Sequence, residues 1–291
     1  MSIVSLPVTR RSVAMAAKKV LNYIPKESFI HSLSGTTKLI IFLSFSFLCG
    51  LSFDTRVLLF LLFLSFVGFS LSKIKLSEIR LMSAFLVVFI VMNFILLFLF
   101  NPEYGPNLYG SRTVLFRLAG KYDVTLEQLF YQFNVSLKYI IGFPIAILFI
   151  STTNPSEFAS SLSQIGVPYR VSYSVSLALR YIPDIQKDYH EIAQSQEARG
   201  VALGKDVKLM DNLKNSAKIL LPLVLTSLNR IDEISNSMQL RSFGKMKNRT
   251  WYMQKKMTVA DYCVIAFCII LFVVGLIITN QGGSNVYNPF A

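Results

Sequence analysis

Apolar residues in this chain are gathered into five blocks that are separated by more polar segments. A helix needs about 20 apolar residues to cross the roughly 30 Å hydrocarbon core of a bilayer, and the block at 81–100 reaches that length. The blocks at 39–53 and 57–71 are shorter, so flanking Ser and Thr residues or a locally thinner bilayer must complete them. Because only residues 54–56 separate these two blocks, they must form an antiparallel pair. The pattern predicts five membrane-spanning helices, at 39–53, 57–71, 81–100, 133–151 and 262–279.

The interval between the fourth and fifth blocks has a different pattern, in which apolar and charged residues share each helix. Asn154 and Pro155 suit a helix start, and Gly166 with Pro168 suits a stop, which predicts a first helix over 155–165. Two longer helices are predicted at about 169–198 and 209–240, each apolar near its middle or start and charged towards its end.

Each of the two long helices contains one proline in its middle. Pro183 lies 16 residues before Arg199, and Pro222 lies 19 residues before Arg241. A proline inside a helix removes a backbone donor and crowds the preceding turn, so a kink is expected at each. The predicted fold is an all-α membrane protein with about five transmembrane helices and three cytoplasmic helices, the last two long and kinked.

Composition and charge support a membrane protein and give it an orientation. Hydrophobic residues make up 53% of the chain and charged residues only 15%. Residues 1–38 carry six basic residues against one acidic, and residues 153–260 carry fifteen against nine, whereas the loops on the opposite side are balanced. The positive-inside rule therefore places the N-terminus and residues 153–260 in the cytoplasm and the C-terminus outside. The predicted divisions are 1–152, 153–260 and 261–291.

Several other classes of function are disfavoured by the residues. The net charge of +13 is spread over every predicted cytoplasmic segment, which suits anionic lipid better than nucleic acid. The basic N-terminal tail could lie as a short amphipathic helix on the inner leaflet, and it does not resemble a signal peptide. The three cysteines fall in apolar blocks and the two histidines are 159 residues apart, so neither a metal site nor a cofactor is expected.

Catalytic motifs are weak. The glycine-lysine segment at 200–206 has the wrong spacing for a phosphate-binding loop and follows a helix instead of a strand. Lys138 is the single charge inside a predicted span and lies near its outer end, where it can reach the interface. A self-contained channel or secondary carrier, which would be expected to show more buried ionisable groups, and a membrane enzyme remain as alternatives.

Two short segments stand out because each places an arginine at the end of a long cytoplasmic helix. They are Gln196–Gly200 and Gln239–Gly244. One interpretation is that Arg199 and Arg241 are helix C-terminal cations that satisfy the last carbonyls and the helix dipole. The other is that they bind a partner protein.

The whole ordered set of segments resembles one family of transport proteins. The segments that carry the resemblance are Tyr23-Ile24-Pro25 with Ser28 and His31, Thr152–Phe158, Gly166–Tyr169, Leu177–Pro183 and Ala198-Arg199-Gly200. They are similar to the transmembrane T component of energy-coupling factor (ECF) transporters, the EcfT/CbiQ family. The second motif departs from the family's Ala-Arg-Gly and reads Leu240-Arg241-Ser242, with more bulk on both sides of the arginine.

The resemblance implies a mechanism. Such a T component hydrolyses no ATP; two cytoplasmic ABC ATPase subunits, identical or different, do so, and two coupling helices pass their motion to a separate substrate-capturing membrane S component. The substrate would be a vitamin, a vitamin precursor, nickel or cobalt, taken up across a bacterial or archaeal cell membrane. The ATPase-docking residues implied are Ala198, Arg199, Gly200, Leu240, Arg241 and Ser242, with no catalytic, cofactor-binding or metal-binding residue.

Overall fold

The computed structural model describes residues 28–74, 79–116, 123–201, 209–245, 250–251 and 254–280, and most of them are helical. The predicted N-terminal amphipathic helix, residues 23–25 of the first family motif and the segment at 202–206 lie outside the described residues, whereas Ser28 and His31 of that motif are described. The elements are α1 (Phe29–Ser32), α2 (Gly35–Leu51), α3 (Thr55–Leu71), α4 (Arg80–Phe100), α5 (Tyr104–Tyr109), β1 (Val114–Phe116), β2 (Val124–Thr125), α6 (Leu126–Thr152), α7 (Pro155–Gln164), α8 (Tyr169–Ala198), α9 (Leu209–Leu240) and α10 (Val259–Asn280).

The described residues fall into two compact units. The membrane unit takes those within Tyr23–Asn154 and Lys255–Ala291, and the helical-arm unit takes those within Pro155–Gln254. Among the described residues, α4, α6 and α10 are long and apolar enough to cross a bilayer, whereas α2 and α3 are apolar helices of 17 residues each. An all-α membrane protein is therefore confirmed, and each of the five predicted apolar blocks is helical over most of its length.

The core of the membrane unit lies between α2, α3, α6 and α10. Each of the four helices contributes buried apolar side chains to this core, among them Leu48, Leu58, Leu61, Ile141 and Leu271. Helix α4 packs mainly against α6, and none of its residues is buried, so much of its apolar surface is exposed.

Helices α2 and α6 are joined by two lysines, each of which binds a carbonyl near the C-terminal end of the other helix. Lys38, in the first turn of α2, is buried and donates from Nζ to the carbonyl of Thr152, the last residue of α6 (3.0 Å). Lys138 of α6 donates to the carbonyl of Gly50 near the end of α2 (3.0 Å) and lies over the Phe53 ring. Each ammonium therefore satisfies a C-terminal carbonyl of the other helix, where the helix dipole favours a cation.

Helix α6 begins seven residues before the predicted start at 133. The prediction was too short because the first turns are polar: Glu127 and Gln128 are buried and bind backbone amides of the preceding segment. Glu127 accepts from the N–H of Thr113 (2.9 Å), and Gln128 accepts from the N–H of Gly105 (2.7 Å). The short antiparallel pair of β1 and β2, which was not predicted, lies in the same segment.

The helical-arm unit contains the three predicted helices with almost the predicted bounds. Helix α7 is followed by a turn at Gly166, whose φ of +102° suits glycine. Helix α8 packs against both α7 and α9. Helices α8 and α9 have 30 and 32 residues and continue through Pro183 and Pro222. The kinks themselves stay a prediction.

Candidate docking site at two helix ends

Arg199 lies at the C-cap of α8, and the chain turns sharply behind it. The N–H of Gly200 donates to the carbonyl of Glu197 (2.9 Å), and the N–H of Val201 donates to that of Gln196 (3.0 Å). Gly200 has a φ of +84°. This pair of bonds with a left-handed residue is the Schellman motif, which ends a helix and leaves the cap side chain at its tip.

Arg241 occupies the same position at the end of α9. The N–H of Ser242 donates to the carbonyl of Gln239 (2.9 Å), and the N–H of Phe243 donates to that of Met238 (3.0 Å). Ser242 takes the left-handed place with a φ of +56°. The two arginines are therefore structural equivalents, although the residues around them differ.

The departure at Ser242 puts a non-glycine residue at a left-handed position. A non-glycine residue in the left-handed region costs roughly 1 kcal/mol, because its Cβ crowds the following carbonyl. Asn and Asp tolerate the region best after glycine, and serine is not among the residues enriched there. The second motif keeps the turn of the first with a strained residue at its centre.

In the helix-cap interpretation, the arginines bind the last carbonyls of their helices. Backbone N–H groups already bind some of these carbonyls. In both motifs two of the last carbonyls accept backbone N–H groups of the turn. A guanidinium is not required to satisfy those carbonyls, which weakens the helix-cap interpretation. Ala198, Arg199 and Gly200 are all exposed, as is Arg241, while Leu240 is 88% exposed and Ser242 is half-buried.

An aromatic cluster holds the chain behind Arg241. The Phe243 ring lies 4.8 Å from the Tyr173 ring and 5.8 Å from the Tyr169 ring, and Trp251 lies 5.4 Å from Tyr169. Arg170 adds a bond from its guanidinium to the carbonyl of Gly244 (3.3 Å). The turn that carries Arg241 is thereby fastened to the first turns of α8.

Sequence reasoning missed this cluster, although one signal was available. Phe243 is the residue after the left-handed position, and a Schellman motif commonly places an apolar side chain there. Tyr169 and Tyr173 share one helix face because they are four residues apart. Their contact with Phe243, some 70 residues further along the chain, is a tertiary feature that no local pattern predicts.

A cleft of about 730 Å³ separates parts of α8 and α9 and reaches Arg241 and Phe243. It is polar and carries both signs of charge: Arg180, Lys187, Arg230 and Arg241 against Asp184, Asp188 and Glu233. Arg230 donates to Asp188 at 2.7 Å, which ties the two helices together. Among the residues that the structure describes, no group of three or more His, Cys, Asp or Glu residues is placed to hold a metal ion.

Comparison with known proteins agrees with the resemblance found in the sequence. A family model described as cobalt transport protein, CbiQ, matches residues 26–252. The chain is similar to energy-coupling factor transporter transmembrane proteins EcfT from Thermosediminibacter oceani (26% identical, covering 82% of this chain and 89% of the relative) and Exiguobacterium sibiricum (25%, covering 90% and 98%). A third EcfT, from Bacillus selenitireducens, is 27% identical over 84% of this chain and 90% of its own length. Since the family model covers most of the chain, the protein belongs to the EcfT/CbiQ family.

Proposed function

We propose that the chain is the transmembrane energy-coupling subunit of an ECF-type ABC importer. It passes the ATP-driven motion of two cytoplasmic ATPase subunits to a substrate-capturing membrane S component. The observation that carries the proposal is the pair of matched helix ends, each presenting an exposed arginine on a Schellman turn. Two equivalent helix tips suit two similar ATPase subunits.

Arg199 and Arg241 dock the ATPase subunits, one each. A guanidinium stays charged and makes several directed bonds to carboxylates or carbonyls, so it suits a polar groove on a partner. Ala198 and Gly200 allow close approach at the first tip. Leu240 adds exposed apolar area beside Arg241, and Ser242 forms the turn behind it, so the second tip makes a bulkier contact.

The paired long helices transmit the motion. At 1.5 Å per residue, the 30 residues of α8 and the 32 of α9 span roughly 45–48 Å. The Arg230–Asp188 ion pair joins them between their prolines and their tips. A displacement at either tip is therefore passed to both helices.

ATP is hydrolysed on the partner subunits, and this chain binds none. The N-terminus and the coupling domain at 153–260 face the cytoplasm, 1–152 and 261–291 form the membrane part, and the C-terminus is outside, in a bacterial or archaeal cell membrane. The excess of basic residues on the proposed inner side supports this orientation. Substrate choice, among vitamins, their precursors and cobalt or nickel ions, belongs to the S component.

Pull-down of the ATPase subunits by the full chain tests the proposal. Arg199→Ala and Arg241→Ala should each weaken the complex by about 2–5 kcal/mol, because each leaves a partner group unpaired, and the double variant should abolish assembly and uptake. Arg→Lys should restore binding only in part, since a point charge lacks the planar fork. Lys218→Ala, an exposed cation on α9 away from the tip, is the matched control and should bind normally.

Two outcomes would overturn the proposal. One is a double variant that still holds both ATPase subunits and supports uptake. The other is substrate uptake by proteoliposomes that contain this chain alone, which would indicate a self-contained carrier.

A further inference from the structure

Among the described residues, the chain passes between the two units twice, after Asn154 and before Lys255. Both connections are bound by the same short stretch of the membrane unit, residues 28–38 (the anchor segment), which contains α1 and the first turn of α2. Burying a polar group is unfavourable unless it is hydrogen-bonded, so the partners of this segment show what it holds. Its buried polar side chains are His31, Ser34, Thr36, Thr37 and Lys38.

A lysine fastens each connection to the anchor segment. Lys38 donates from Nζ to the carbonyl of Thr152, two residues before the chain leaves the membrane unit (3.0 Å). Lys255, the first residue of this unit after the helical arms, donates from Nζ to the carbonyl of His31 (3.0 Å). A hydrogen bond from a charged donor is roughly twice as strong as a neutral one, so both connections are firmly held.

Asp261, in the first turn of α10, fastens the second connection again. Its side chain is buried, and each of its carboxylate oxygens accepts two hydrogen bonds. One oxygen binds the N–H of Ser34 and the hydroxyl of Thr37 at the start of α2 (both 2.8 Å). The other binds the N–H and the hydroxyl of Thr258, the residue before α10 (both 2.8 Å). A single carboxylate therefore caps the starts of two helices at once.

We propose that Asp261 is a positioning residue for energy coupling, which ties the connections of the helical arms together at the anchor segment. The proposal rests on the proposed function, in which the arms carry the movement of the ATPase subunits to the membrane. Because both connections are fastened to one segment, a displacement carried by the chain reaches the start of α2 and is not lost in a slack linker. Asp261 joins Thr258 on the connection to Thr37 in the first turn of α2.

The same two helices provide a matched contact at their other ends. Thr279 of α10 donates from its hydroxyl to that of Ser52, the C-cap of α2 (2.9 Å), and both side chains are buried. This contact also holds α10 against α2, but it lies about 27 Å from Asp261 along α10 at 1.5 Å per residue. A difference between the two contacts therefore separates positioning of the connections from general stability.

Hydrogen exchange of the purified full chain tests the anchor without any partner. In Asp261→Asn one carboxylate oxygen becomes an NH₂ group, which cannot accept, so the N–H of Ser34 or of Thr258 loses its acceptor. Exchange at that N–H should become about tenfold faster, the effect of losing one bond to a charged group. Thr279→Val should leave exchange at both residues unchanged.

Uptake per ATP hydrolysed by the assembled transporter in proteoliposomes tests the coupling. Asp261→Asn should still bind the ATPase subunits and support ATP hydrolysis, because both docking tips are unchanged. Its uptake per ATP should fall about tenfold, by the same loss of one charge-assisted bond. Thr37→Val is a milder variant that removes one of the four bonds, and it should give a smaller fall in the same direction. Thr279→Val should keep the ratio of the unchanged chain.

Three results would overturn the proposal. Unchanged exchange at both Ser34 and Thr258 in Asp261→Asn would mean that the carboxylate does not hold them. An unchanged uptake per ATP in either Asp261→Asn or Thr37→Val would make the anchor a stabilising cap only. An equal fall in Thr279→Val would assign the effect to general packing.

Failure of the proposed function would look different. If the unchanged chain bound no ATPase subunit, the coupling role would be overturned together with that function. The exchange measurement on the purified chain would still show whether Asp261 holds the two helix starts.

Discussion

Arg230 and Asp188 are 42 residues apart in the chain and form an ion pair of 2.7 Å between α9 and α8. Both side chains are more than two-thirds buried. The Arg230 guanidinium also lies 6.0 Å from the centre of the Tyr181 ring. The pair therefore joins the two helices at a partly desolvated point and in one orientation.

Breaking this pair should loosen the helical arms. Asp188→Asn should lower the free energy of unfolding by about 1 kcal/mol, because a charge-assisted bond becomes a neutral one at a partly buried site. Thermal unfolding of the full chain measures it. Lys187→Ala is the control: it removes an exposed pair with Glu191 on the same helix and should change stability by less than about 0.5 kcal/mol. If the two variants behave alike, the Arg230–Asp188 pair is only a surface contact.

Exchanging the residues at the two left-handed positions should have opposite effects. Ser242→Gly should raise the free energy of unfolding by about 1 kcal/mol, and Gly200→Ser should lower it by a similar amount, since only glycine adopts this region without strain. An added Cβ at Gly200 meets no atom within 4 Å, so the change reports backbone strain and not a clash. Thermal unfolding measures the stability of both variants. If the two substitutions change the free energy of unfolding in the same direction, the two motifs are not equivalent.

Phe243 should be needed for docking at Arg241 but not at Arg199. Phe243→Ala removes the ring that packs on Tyr173 at 4.8 Å, which releases the turn behind Arg241. ATPase pull-down in an Arg199→Ala background should fall about tenfold, and Phe243→Tyr should restore it because the ring is kept. Val201→Ala, at the same place in the first motif, is the matched control. A loss in the Arg241→Ala background of equal size would mean that Phe243 acts on general folding instead.

The orientation can be tested with single cysteines in a chain whose three native cysteines have been replaced. Met210→Cys should be shielded from a membrane-impermeant thiol reagent in intact cells, and Gly283→Cys should be labelled, because the basic excess places 153–260 inside. Permeabilised cells provide the control for Met210→Cys. Labelling in the reverse sense would overturn the proposed coupling role.

The bounds of the helical arms could be predicted because their ends are local. Asn154 and Pro155 begin α7, and glycines at 166 and 200 end α7 and α8 with positive φ, so each boundary depends on a few neighbouring residues. The equivalence of Arg199 and Arg241 was visible for the same reason. Leu240-Arg241-Ser242 was seen as a departure, and only the backbone angles show that Ser242 occupies the place of Gly200.

Other features could not be predicted because their partners are distant in sequence. In the sequence, Glu127 and Gln128 belong to a polar segment that was predicted to lie outside the helix. In the structure they are buried, because the backbone N–H groups of Thr113 and Gly105 donate to them. The Phe243 cluster and the Arg230–Asp188 pair likewise join separate helices. Hydrophobic periodicity contains no information about which polar groups meet across such intervals.

The two lysine contacts between α2 and α6 fix the register of the two helices. Helix α2 has 17 residues, about 25 Å, and α6 has 27. With Lys38 bound at one end of the pair and Lys138 towards the other, α2 cannot slide or tilt on its own to suit a thicker membrane. The surrounding lipid must adjust to the protein, so this unit should work best in bilayers of short acyl chains and lose activity as those chains lengthen.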